Sequence, residues 1–288
     1  MTATWTLKAA PDFTDQQFAQ WSRLLEERAG ICISDQQRIF LQTQVNMRMR
    51  ELGHNDYSQY YNKVIDGMPG MMEWATLVDR LVVKETSFLR HRPSIDFFRD
   101  LLQRKINNQT LSETFEVWSV GCSTGEEPFS LAMVMNDCFD LAQRDPLYGV
   151  TATDISRAAL SIGRDGIYPE RKVAMLEPYM QQMYFDQLDN GRYSVKPLIK
   201  KRVCFNHANV LNIGEMPKIE FDAIYCQNML IYFRKWLRHD ILNAFANHLK
   251  PGGVMIIGLG EVVDWRCDKV ERVPNDTVQA YKRRLDVQ

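Results

Sequence analysis

The sequence predicts an α/β protein in which a doubly wound, mostly parallel sheet follows a small all-α domain. From residue 115 onward, short β-branched and aromatic runs alternate with helical patterns, which is typical of a parallel sheet covered on both faces. Residues 13–82 carry only helical periodicity, punctuated by capping signals. Residues 115–131 combine a strand, a glycine-containing turn and the start of a helix, and the rest of the chain is organised around this stretch.

Composition limits the class of protein. The 288 residues are 45% hydrophobic and 25% charged, as in ordinary globular proteins. The net charge of −1 argues against a nucleic-acid partner, because neutralising phosphates requires a surplus of Lys and Arg. The six cysteines form no C-x-x-C pair and the five histidines are scattered, so we expect neither a metal site nor disulfides. The sequence has no signal peptide and no apolar run long enough to span a bilayer. We therefore expect a cytoplasmic protein without direct membrane insertion.

Three regions follow from these patterns. We expect a helical domain at residues 1–90, a linker helix and loop at 91–112, and a ligand-binding α/β domain at 113–288. A β subdomain is expected as an insertion in the α/β domain, at about residues 166–202.

Capping signals define the helices of the first region. Thr14-x-x-Gln17 is a capping-box pattern, and Gly30 is expected to end the helix that follows. Ser34-x-x-Gln37 opens the second helix, and residues 56–65 and 71–82 predict two more.

The second helix carries three arginines outside its apolar stripe, Arg38, Arg48 and Arg50. Two interpretations stay open at this point. The arginines form either a solvated helix surface or a docking surface for an acidic partner.

The turn at residues 121–125 is a candidate ligand site. A strand, a glycine-containing turn and a helix N-terminus form the nucleotide-binding corner of an open α/β sheet, since backbone N–H groups face outward there. The pattern G-x-G-x-x-G is absent, and Glu126 and Glu127 would repel a pyrophosphate, so a cationic ligand is favoured. S-adenosylmethionine, with its sulfonium and ammonium groups, fits this electrostatic argument. The alternative is a plain strand-to-helix connection, with the helix starting near Ala132.

The alternation continues after this corner. The further predicted strands cover residues 148–153, 203–205, 221–226 and 254–259, and the predicted helices cover residues 156–164 and 235–249, with another beginning at Pro93. Pro251-Gly252-Gly253 is expected to end the last helix before the fifth strand. Two late segments, near Val270 and at residues 278–281, predict an antiparallel pair at the edge of the sheet.

Residues 166–202 are too long for a crossover loop. They hold a helical piece at 178–185, the turn Asp189-Asn190-Gly191, and short segments around Tyr193/Val195 and Leu198/Ile199 that suggest small strands. We interpret this stretch as the inserted β subdomain. It either recognises a partner or is a structural insertion.

Residues that directly follow a strand are the candidates for chemistry, because the ligand of a doubly wound sheet lies across the carboxyl ends of the strands. Glu127, Asp154, Asn209 and Asn228 meet this test. Asp154 suits the hydroxyls of a ribose, or else caps the helix that follows it. Asn209 is either a turn residue or a contact to an adenine edge, and Tyr232 either faces the ligand or packs in the core. The tetrapeptide Asn-Pro-Pro-Tyr of amino-methylating enzymes is absent, which argues against nitrogen as a methyl acceptor.

Taken together, these motifs resemble the chemotaxis receptor glutamate O-methyltransferases of the CheR type. The resemblance covers about residues 13–284 and rests on segments that occur in the family's order and at similar spacing. They are Thr86–Arg90, Trp118–Pro128, Asp154–Ile155, Gly166–Tyr168, Asn209–Leu211, Phe221–Ile224 and Asn228–Phe233. The resemblance implies a class I S-adenosylmethionine-dependent methyltransferase fold with a Rossmann-like doubly wound sheet, preceded by a small all-α domain.

The resemblance also implies roles for particular residues. The cofactor S-adenosylmethionine, and its product S-adenosylhomocysteine, would be held by Lys84, Thr86, Arg90, Glu127, Asp154, Asn209, Val210, Asn228 and Met229. Arg90 and Tyr232 would lie beside the methyl group as catalytic residues. Arg38, Arg48 and Arg50 would face the helical cytoplasmic region of a methyl-accepting receptor.

The sequence departs from the family at three places. Lys84 stands where an Asn contact to the cofactor is common, and Leu259-Gly260-Glu261 replaces the usual His-Ser-Glu. Gln44 and Met47 stand where chemotaxis members often carry Arg. These departures suggest altered receptor docking, for instance in a pathway that controls pilus-driven surface motility.

The implied function is transfer of a methyl group to receptor glutamates for sensory adaptation. A non-catalytic receptor adaptor that keeps the fold is the alternative, and methylation of a small molecule or RNA is a third hypothesis.

Overall fold

The chain folds into two compact units. The computed structural model describes residues 12–111 and 114–285. The units are Met1–Val83 and Lys84–Gln288, so the division falls earlier than the boundary at residue 90 that we expected. The segment after Val83 belongs to the second unit because its backbone is held there. The Ser123 hydroxyl donates to the Lys84 carbonyl over 3.2 Å, and the Leu89 N–H donates to the Ser130 hydroxyl over 2.9 Å.

The described part of the first unit is helical throughout. Its elements are α1 (Asp15–Ala29), a 3-10 turn (Asp35–Gln37), α2 (Arg38–Glu51), α3 (Tyr57–Ile65) and α4 (Gly67–Leu81). Thr14 and Gln17 form the predicted capping box, and Gly30 ends α1 in the left-handed conformation that its missing side chain permits. The helix α4 begins before the predicted residue 71. Gly70 allows this start, because a Cβ there would lie 2.7 Å from the Val64 carbonyl oxygen.

A buried polar network joins α2, α3 and α4. Arg48 donates from Nε and Nη2 to the two carboxylate oxygens of Glu73, both over 2.8 Å, and the Tyr60 hydroxyl donates to Glu73 over 2.7 Å. Glu73 is 7% exposed. Burial opposes its ionisation, but the bonds from Arg48 and Tyr60 outweigh burial and lower its pKa. The solvated position that we considered for Arg48 is therefore wrong.

The second unit is built on a seven-stranded sheet. The described residues of this unit form the strands β1 (Phe115–Val120), β2 (Tyr148–Asp154), β3 (Ile167–Pro169), β4 (Phe185–Gln187), β5 (Arg192–Val195), β6 (Val203–His207), β7 (Phe221–Cys226), β8 (Leu249–Ile257), β9 (Val270–Arg272) and β10 (Gln279–Arg283). The strand order in the large sheet is β6-β2-β1-β7-β8-β10-β9. The first five strands of this order pair in parallel, whereas β10 is antiparallel to both β8 and β9. This confirms the predicted antiparallel pair at the edge.

The helices of this unit are α5 (Arg92–Asn107), α6 (Glu126–Leu141), α7 (Arg157–Asp165), α8 (Glu170–Val173), α9 (Pro178–Tyr184), α10 (Pro197–Lys200) and α11 (Lys235–Asn247), with 3-10 turns at Val210–Glu215 and Leu230–Tyr232.

Alternate residues of β1 pack into different hydrophobic cores. Val117 packs in the cluster that contains Phe98 of α5 and Phe129 of α6, whereas Trp118 packs in the cluster that contains Phe245 of α11. The sheet is thus buried on both faces, as predicted.

Three element boundaries differ from the sequence prediction. The helix α6 begins at Glu126 rather than near Ala132, because Gly125 adopts a φ of 96° and Pro128 needs no N–H partner in a first turn. The strand β8 begins at Leu249 and runs through Pro251-Gly252-Gly253, which an irregularity in its register against β7 accommodates. Leu198 and Ile199 lie in the short helix α10 and not in a strand.

The inserted residues form a separate three-stranded antiparallel sheet, in the order β3-β5-β4. Two contacts hold it against the corner before α6. The Tyr168 hydroxyl donates to the Thr124 carbonyl over 2.7 Å, and Lys172 of α8 forms an ion pair with the fully buried Glu126. The β subdomain is therefore fixed to the loop that carries the candidate site.

We expect Glu73→Ala to lower the free energy of unfolding of the first unit by about 3–5 kcal/mol, because it leaves Arg48 without its buried partner. Hydrogen exchange of the amides of α2 to α4 measures this change. Glu27→Ala serves as the control, since Glu27 is exposed and pairs only with the exposed Arg23; its expected cost is below about 1 kcal/mol. Similar costs for the two variants would contradict the structural role of the network.

Candidate active site

The loop between β1 and α6 is anchored to β2. The N–H groups of Gly121 and Cys122 both donate to the Thr153 carbonyl, over 2.8 and 3.0 Å. Gly121 and Gly125 have positive φ angles, and so does Ser123, which is not a glycine. A Cβ on Gly121 would lie 2.9 Å from the sulfur of Met229, so glycine lets the segment after β7 approach the loop closely.

Asp154, at the end of β2, joins this loop to α7. One carboxylate oxygen accepts the Ser123 N–H and the other accepts the Ser156 N–H, both over 2.8 Å. The helix cap is Ser156, whose side chain accepts the Ala159 N–H over 3.1 Å. The alternative that Asp154 caps this helix is therefore wrong. Its contact to a ribose stays a prediction, and its carboxylate lies where that contact requires it, at the carboxyl end of β2.

The two adjacent glutamates have different surroundings. Glu126 is fully buried, pairs with Lys172 and accepts the Thr124 hydroxyl over 2.6 Å. Glu127 accepts the Ser119 hydroxyl over 2.7 Å. Burial raises the pKa of Glu127 to about 8, with a further upward contribution from the carboxylate of Glu261. Glu126 thus holds the β subdomain, and Glu127 is the carboxylate available for a ligand.

The residues predicted after β6 and β7 also lie at this edge of the sheet. The Asn209 side chain accepts the Leu211 N–H over 3.1 Å and caps the 3-10 turn that contains Val210, which fits the turn interpretation. Asn228 adopts a φ of 57°, an uncommon conformation for a residue other than glycine. Met229 is half-buried beside Gly121.

The segment from Lys84 to His91 is packed onto the corner. Phe88 makes edge contacts with the rings of Tyr168 and Phe185, with centroids 5.0 and 5.4 Å apart. Thr86 is half-buried, whereas Arg90 is exposed and donates from Nη1 to the Glu85 carbonyl over 2.9 Å.

Arg90 lies close enough to three site residues to act on their ionisation. Burial is the largest influence on the pKa of Tyr232 and raises it, while Arg90 lowers it. Arg90 also opposes the burial that raises the pKa values of Glu127 and Glu261. Arg90 thus interacts electrostatically with Tyr232, Glu127 and Glu261, and the catalytic roles of Arg90 and Tyr232 stay a prediction. Tyr232 is half-buried against the core cluster of Trp118, which fits the core interpretation in part, and its position facing the ligand stays a prediction.

Sequence reasoning missed the part that Glu261 plays. Its side chain is 4% exposed, and burial raises its pKa to about 7. The sequence singled out Glu261 only as part of an altered motif. A charged residue within an apolar run between two strands could have signalled a buried carboxylate.

The docking arginines belong to the first unit. Arg38 donates to Asp15 and to the Phe13 carbonyl, both over 2.6 Å, and Arg48 is held by Glu73. Arg50 is exposed.

Several observations test whether the site residues fit the predicted cofactor. Near the ends of β7 and β8, the Gln227 amide nitrogen and Glu261 Oε1 are buried without a hydrogen-bond partner among the described residues. Glu127 supplies a carboxylate for a cationic group. Polar groups that lack partners beside an acidic corner suit a cationic, polar ligand. The residues present therefore fit S-adenosylmethionine.

Metal chemistry and membrane insertion have no counterpart in the described ranges. Residues 12–111 and 114–285 contain no group of three or more potential metal ligands, and all six cysteines are free. No helix in these ranges combines the length and the apolar character needed to cross a bilayer.

The sheet order, the open corner and the acid at the end of the second strand define a class I S-adenosylmethionine-dependent methyltransferase. Residues 16–82 match the pattern described as "CheR methyltransferase, all-alpha domain", and residues 84–279 match "CheR methyltransferase, SAM binding domain". The chain belongs to the CheR methyltransferase family and binds S-adenosylmethionine.

Curated relatives extend over most of the chain. The chemotaxis protein methyltransferase of Borreliella burgdorferi is 28% identical over 88% of this chain and 90% of its own length. The enzyme of the same name from Escherichia coli is 31% identical over 86% of this chain and 85% of its own. A solved N-methyltransferase, NodS from Bradyrhizobium japonicum, overlaps loosely, with a TM-score of 0.35 and 11% identity over 65% of this chain and 87% of that one. That overlap is too low to add to the family assignment.

The raised pKa values predict how stability depends on pH. Between about pH 4.5 and 8 the folded protein keeps protons on Glu127 and Glu261 that the unfolded chain releases, so the free energy of unfolding falls as pH rises. We expect a combined loss on the order of 6 kcal/mol between pH 5 and 8, roughly 3.5 from Glu127 and 2.5 from Glu261, since one pKa unit corresponds to ~1.4 kcal/mol. Urea unfolding at several pH values measures it.

Glu127→Gln should make this dependence less steep, because glutamine does not titrate. Asp186→Asn, at an exposed carboxylate of the β subdomain, is the control and should leave the slope unchanged. An equal slope in the wild type and Glu127→Gln would contradict the raised pKa.

Proposed function

We propose that this protein transfers a methyl group from S-adenosylmethionine to glutamate side chains of a methyl-accepting chemoreceptor. The acceptor is the helical cytoplasmic region of the receptor, and the protein acts in the cytoplasm. The observation that carries the proposal is the match of residues 84–279 to the CheR S-adenosylmethionine-binding domain, in a sheet with Asp154 at the end of β2 and Asn228 just after β7. The relatives named chemotaxis protein methyltransferase support the choice of acceptor.

The chemistry needs no general base. A glutamate carboxylate, with a pKa near ~4.3, is already ionised at neutral pH and attacks as the anion. The bound cofactor supplies an electrophilic methyl group on a positively charged sulfur. Transfer of that methyl group would leave a thioether and give the acceptor a methyl ester, with Arg90 orienting the acceptor carboxylate. Alignment and exclusion of water therefore account for the catalysis.

Each site residue has a role in this alignment. Asp154 would receive the ribose hydroxyls, and Asn209 and Val210 would hold the adenine. Glu127, in its ionised form, would attract the ammonium group of the methionine end. These roles rest on the positions of Asp154 at the carboxyl end of β2, of Asn209 and Val210 just after β6, and of Glu127 in the first turn of α6.

The remaining residues act at the methyl end. Asn228 and Met229 contact the cofactor from the segment after β7, while Lys84 and Thr86 approach from the segment before α5. Arg90 orients the acceptor carboxylate by a charge-assisted hydrogen bond, and Tyr232 lines the path of the methyl group.

Receptor docking rests on Arg50 of α2 more than on Arg38 and Arg48. Asp15 already pairs with Arg38, and Glu73 and Glu51 pair with Arg48. Arg50 is exposed and suits an acidic helix.

Isothermal titration with S-adenosylhomocysteine tests the cofactor half of the proposal. We expect one-to-one binding in the wild type and a loss of about 100-fold or more in affinity in Asp154→Ala, which removes the carboxylate that holds Ser123.

Incorporation of a labelled methyl group into receptor signalling fragments then tests the acceptor. Base-labile label is expected, since methyl esters hydrolyse in base. Binding without any transfer to receptor fragments would contradict the proposed acceptor, and absence of binding would favour the adaptor hypothesis.

Arg90→Ala should reduce kcat for receptor methylation by about 100-fold or more, because it removes a charged donor aimed at the reacting group. Circular dichroism should remain that of the wild type, since Arg90 is exposed. The matched control is Arg92→Ala, which removes a neighbouring exposed arginine that pairs with Glu177. A near wild-type rate in Arg90→Ala would rule out the orienting role.

A further inference from the structure

The loop after β8 turns back toward the segment that follows β7. The Gly258 N–H donates to the Cys226 carbonyl over 3.2 Å, and the Glu261 N–H donates to the Gly258 carbonyl over 3.1 Å. This tight turn directs the Glu261 side chain inward, where it is 4% exposed. A carboxylate is thereby buried directly behind residues 228–232.

Glu261 holds that segment through its side chain. Its Oε2 accepts the backbone N–H of Leu230 over 3.3 Å, at the start of the 3-10 turn that ends in Tyr232. Its backbone carbonyl accepts Nη1 of Arg238 over 2.7 Å, and the same guanidinium donates to the carbonyls of Phe233 and Ile231. Glu261 and Arg238 together fix both ends of the turn.

The carboxylate occupies a space that a glycine leaves open. A Cβ on Gly258 would lie 2.3 Å from Oε1 and 2.4 Å from Cδ of Glu261, which is far inside van der Waals contact. Gly258 does not have a positive φ, so its backbone conformation does not require a glycine. A glycine is required at this position because a side chain would collide with the carboxylate of Glu261. Oε1 itself has no hydrogen-bond partner among the described residues.

We propose that Glu261 is a positioning residue for methyl transfer, whose carboxylate, seated against Gly258, holds the backbone of residues 228–232 and so aims Asn228, Met229 and Tyr232 at the cofactor. The part of this proposal that concerns Tyr232 rests on the proposed function. The part that concerns Asn228 and Met229 depends only on binding of S-adenosylmethionine.

The charges around Glu261 determine how the hydrogen bonding of its carboxylate to residues 228–232 depends on pH. Burial raises its pKa to about 7, and the N–H groups of Leu230 and Asn228, then Arg238 of α11 and Arg90, oppose that shift. The other titratable groups that face Glu261 are Glu127 of α6, Cys226 of β7 and Tyr232. The ionised carboxylate accepts backbone N–H bonds more strongly than the protonated acid does. Cofactor affinity should therefore rise as pH increases through about 7.

Two variants test the proposal by different means. Glu261→Gln keeps the shape of the side chain and removes its charge. Gly258→Ala keeps the charge and displaces the carboxylate. Gly214→Ala is the control for the glycine substitution, because a Cβ there meets no atom within 4 Å. All three are compared with the wild type by titration with S-adenosylhomocysteine at pH 6 to 8.5, by kcat and KM for receptor fragments, and by thermal unfolding.

We expect Gly258→Ala to weaken S-adenosylhomocysteine binding by about 10-fold and to lower kcat by roughly 100-fold, since misplacement by ~1 Å has effects of that size. The KM for the receptor should stay near that of the wild type and Gly214→Ala. Glu261→Gln should remove the ionisation near pH 7 from the binding profile and leave the one near pH 8 that belongs to Glu127.

Wild-type affinity and an unchanged pH profile in both variants would overturn the proposal. So would losses that follow the unfolding midpoint in proportion, because a purely structural residue behaves that way. If the wild type does not methylate receptors at all, the proposed function fails, while the affinities for S-adenosylhomocysteine still decide whether Glu261 positions the segment.

Discussion

The carboxylate of Asp154 is the contact on which the geometry of the site depends. It bridges the N–H of Ser123 in the corner loop and the N–H of Ser156 before α7, so one side chain at the end of β2 fixes two neighbouring connections. The Thr153 carbonyl, which accepts the N–H groups of Gly121 and Cys122, acts from the same strand end. The loop is thus ordered before a ligand arrives, which reduces the entropy that binding must overcome.

Backbone strain is concentrated around this corner. Of the seven described non-glycine residues with positive φ, four lie in or beside the candidate site, namely Leu89, His91, Ser123 and Asn228. Each such conformation costs on the order of 1–3 kcal/mol and persists only where neighbouring contacts enforce it. The contacts are identifiable: Asp154 holds Ser123, Ser130 holds Leu89, and Glu261 holds the turn after Asn228. Strain maintained in this way is typical of sites that must keep one geometry.

The sequence predicted features that depend on local pattern and missed those that depend on distant pairing. The capping box at Thr14, the existence of the five parallel strands and the antiparallel edge pair all follow from periodicity and turn residues. The candidate residues after each strand followed from the topology rule alone, and the structure brings them to one edge. The Glu126–Lys172 ion pair and the burial of Arg48 could not be predicted, because their partners lie in other elements. Leu198 and Ile199 were assigned to a strand because their apolar pattern is too short to distinguish a strand from a helical turn.

Buried carboxylates beside a site for a cationic cofactor form a consistent electrostatic arrangement. Without ligand, burial favours the protonated forms of Glu127 and Glu261, and the nearby Arg90 only partly offsets that preference. A cation bound at this edge would favour their ionised forms, so cofactor binding and proton release are linked. Methyl transfer removes the positive charge on the sulfur but leaves the ammonium group, so only part of that support is lost. The same carboxylates therefore hold the product somewhat less strongly than the cofactor, which aids exchange of product for cofactor.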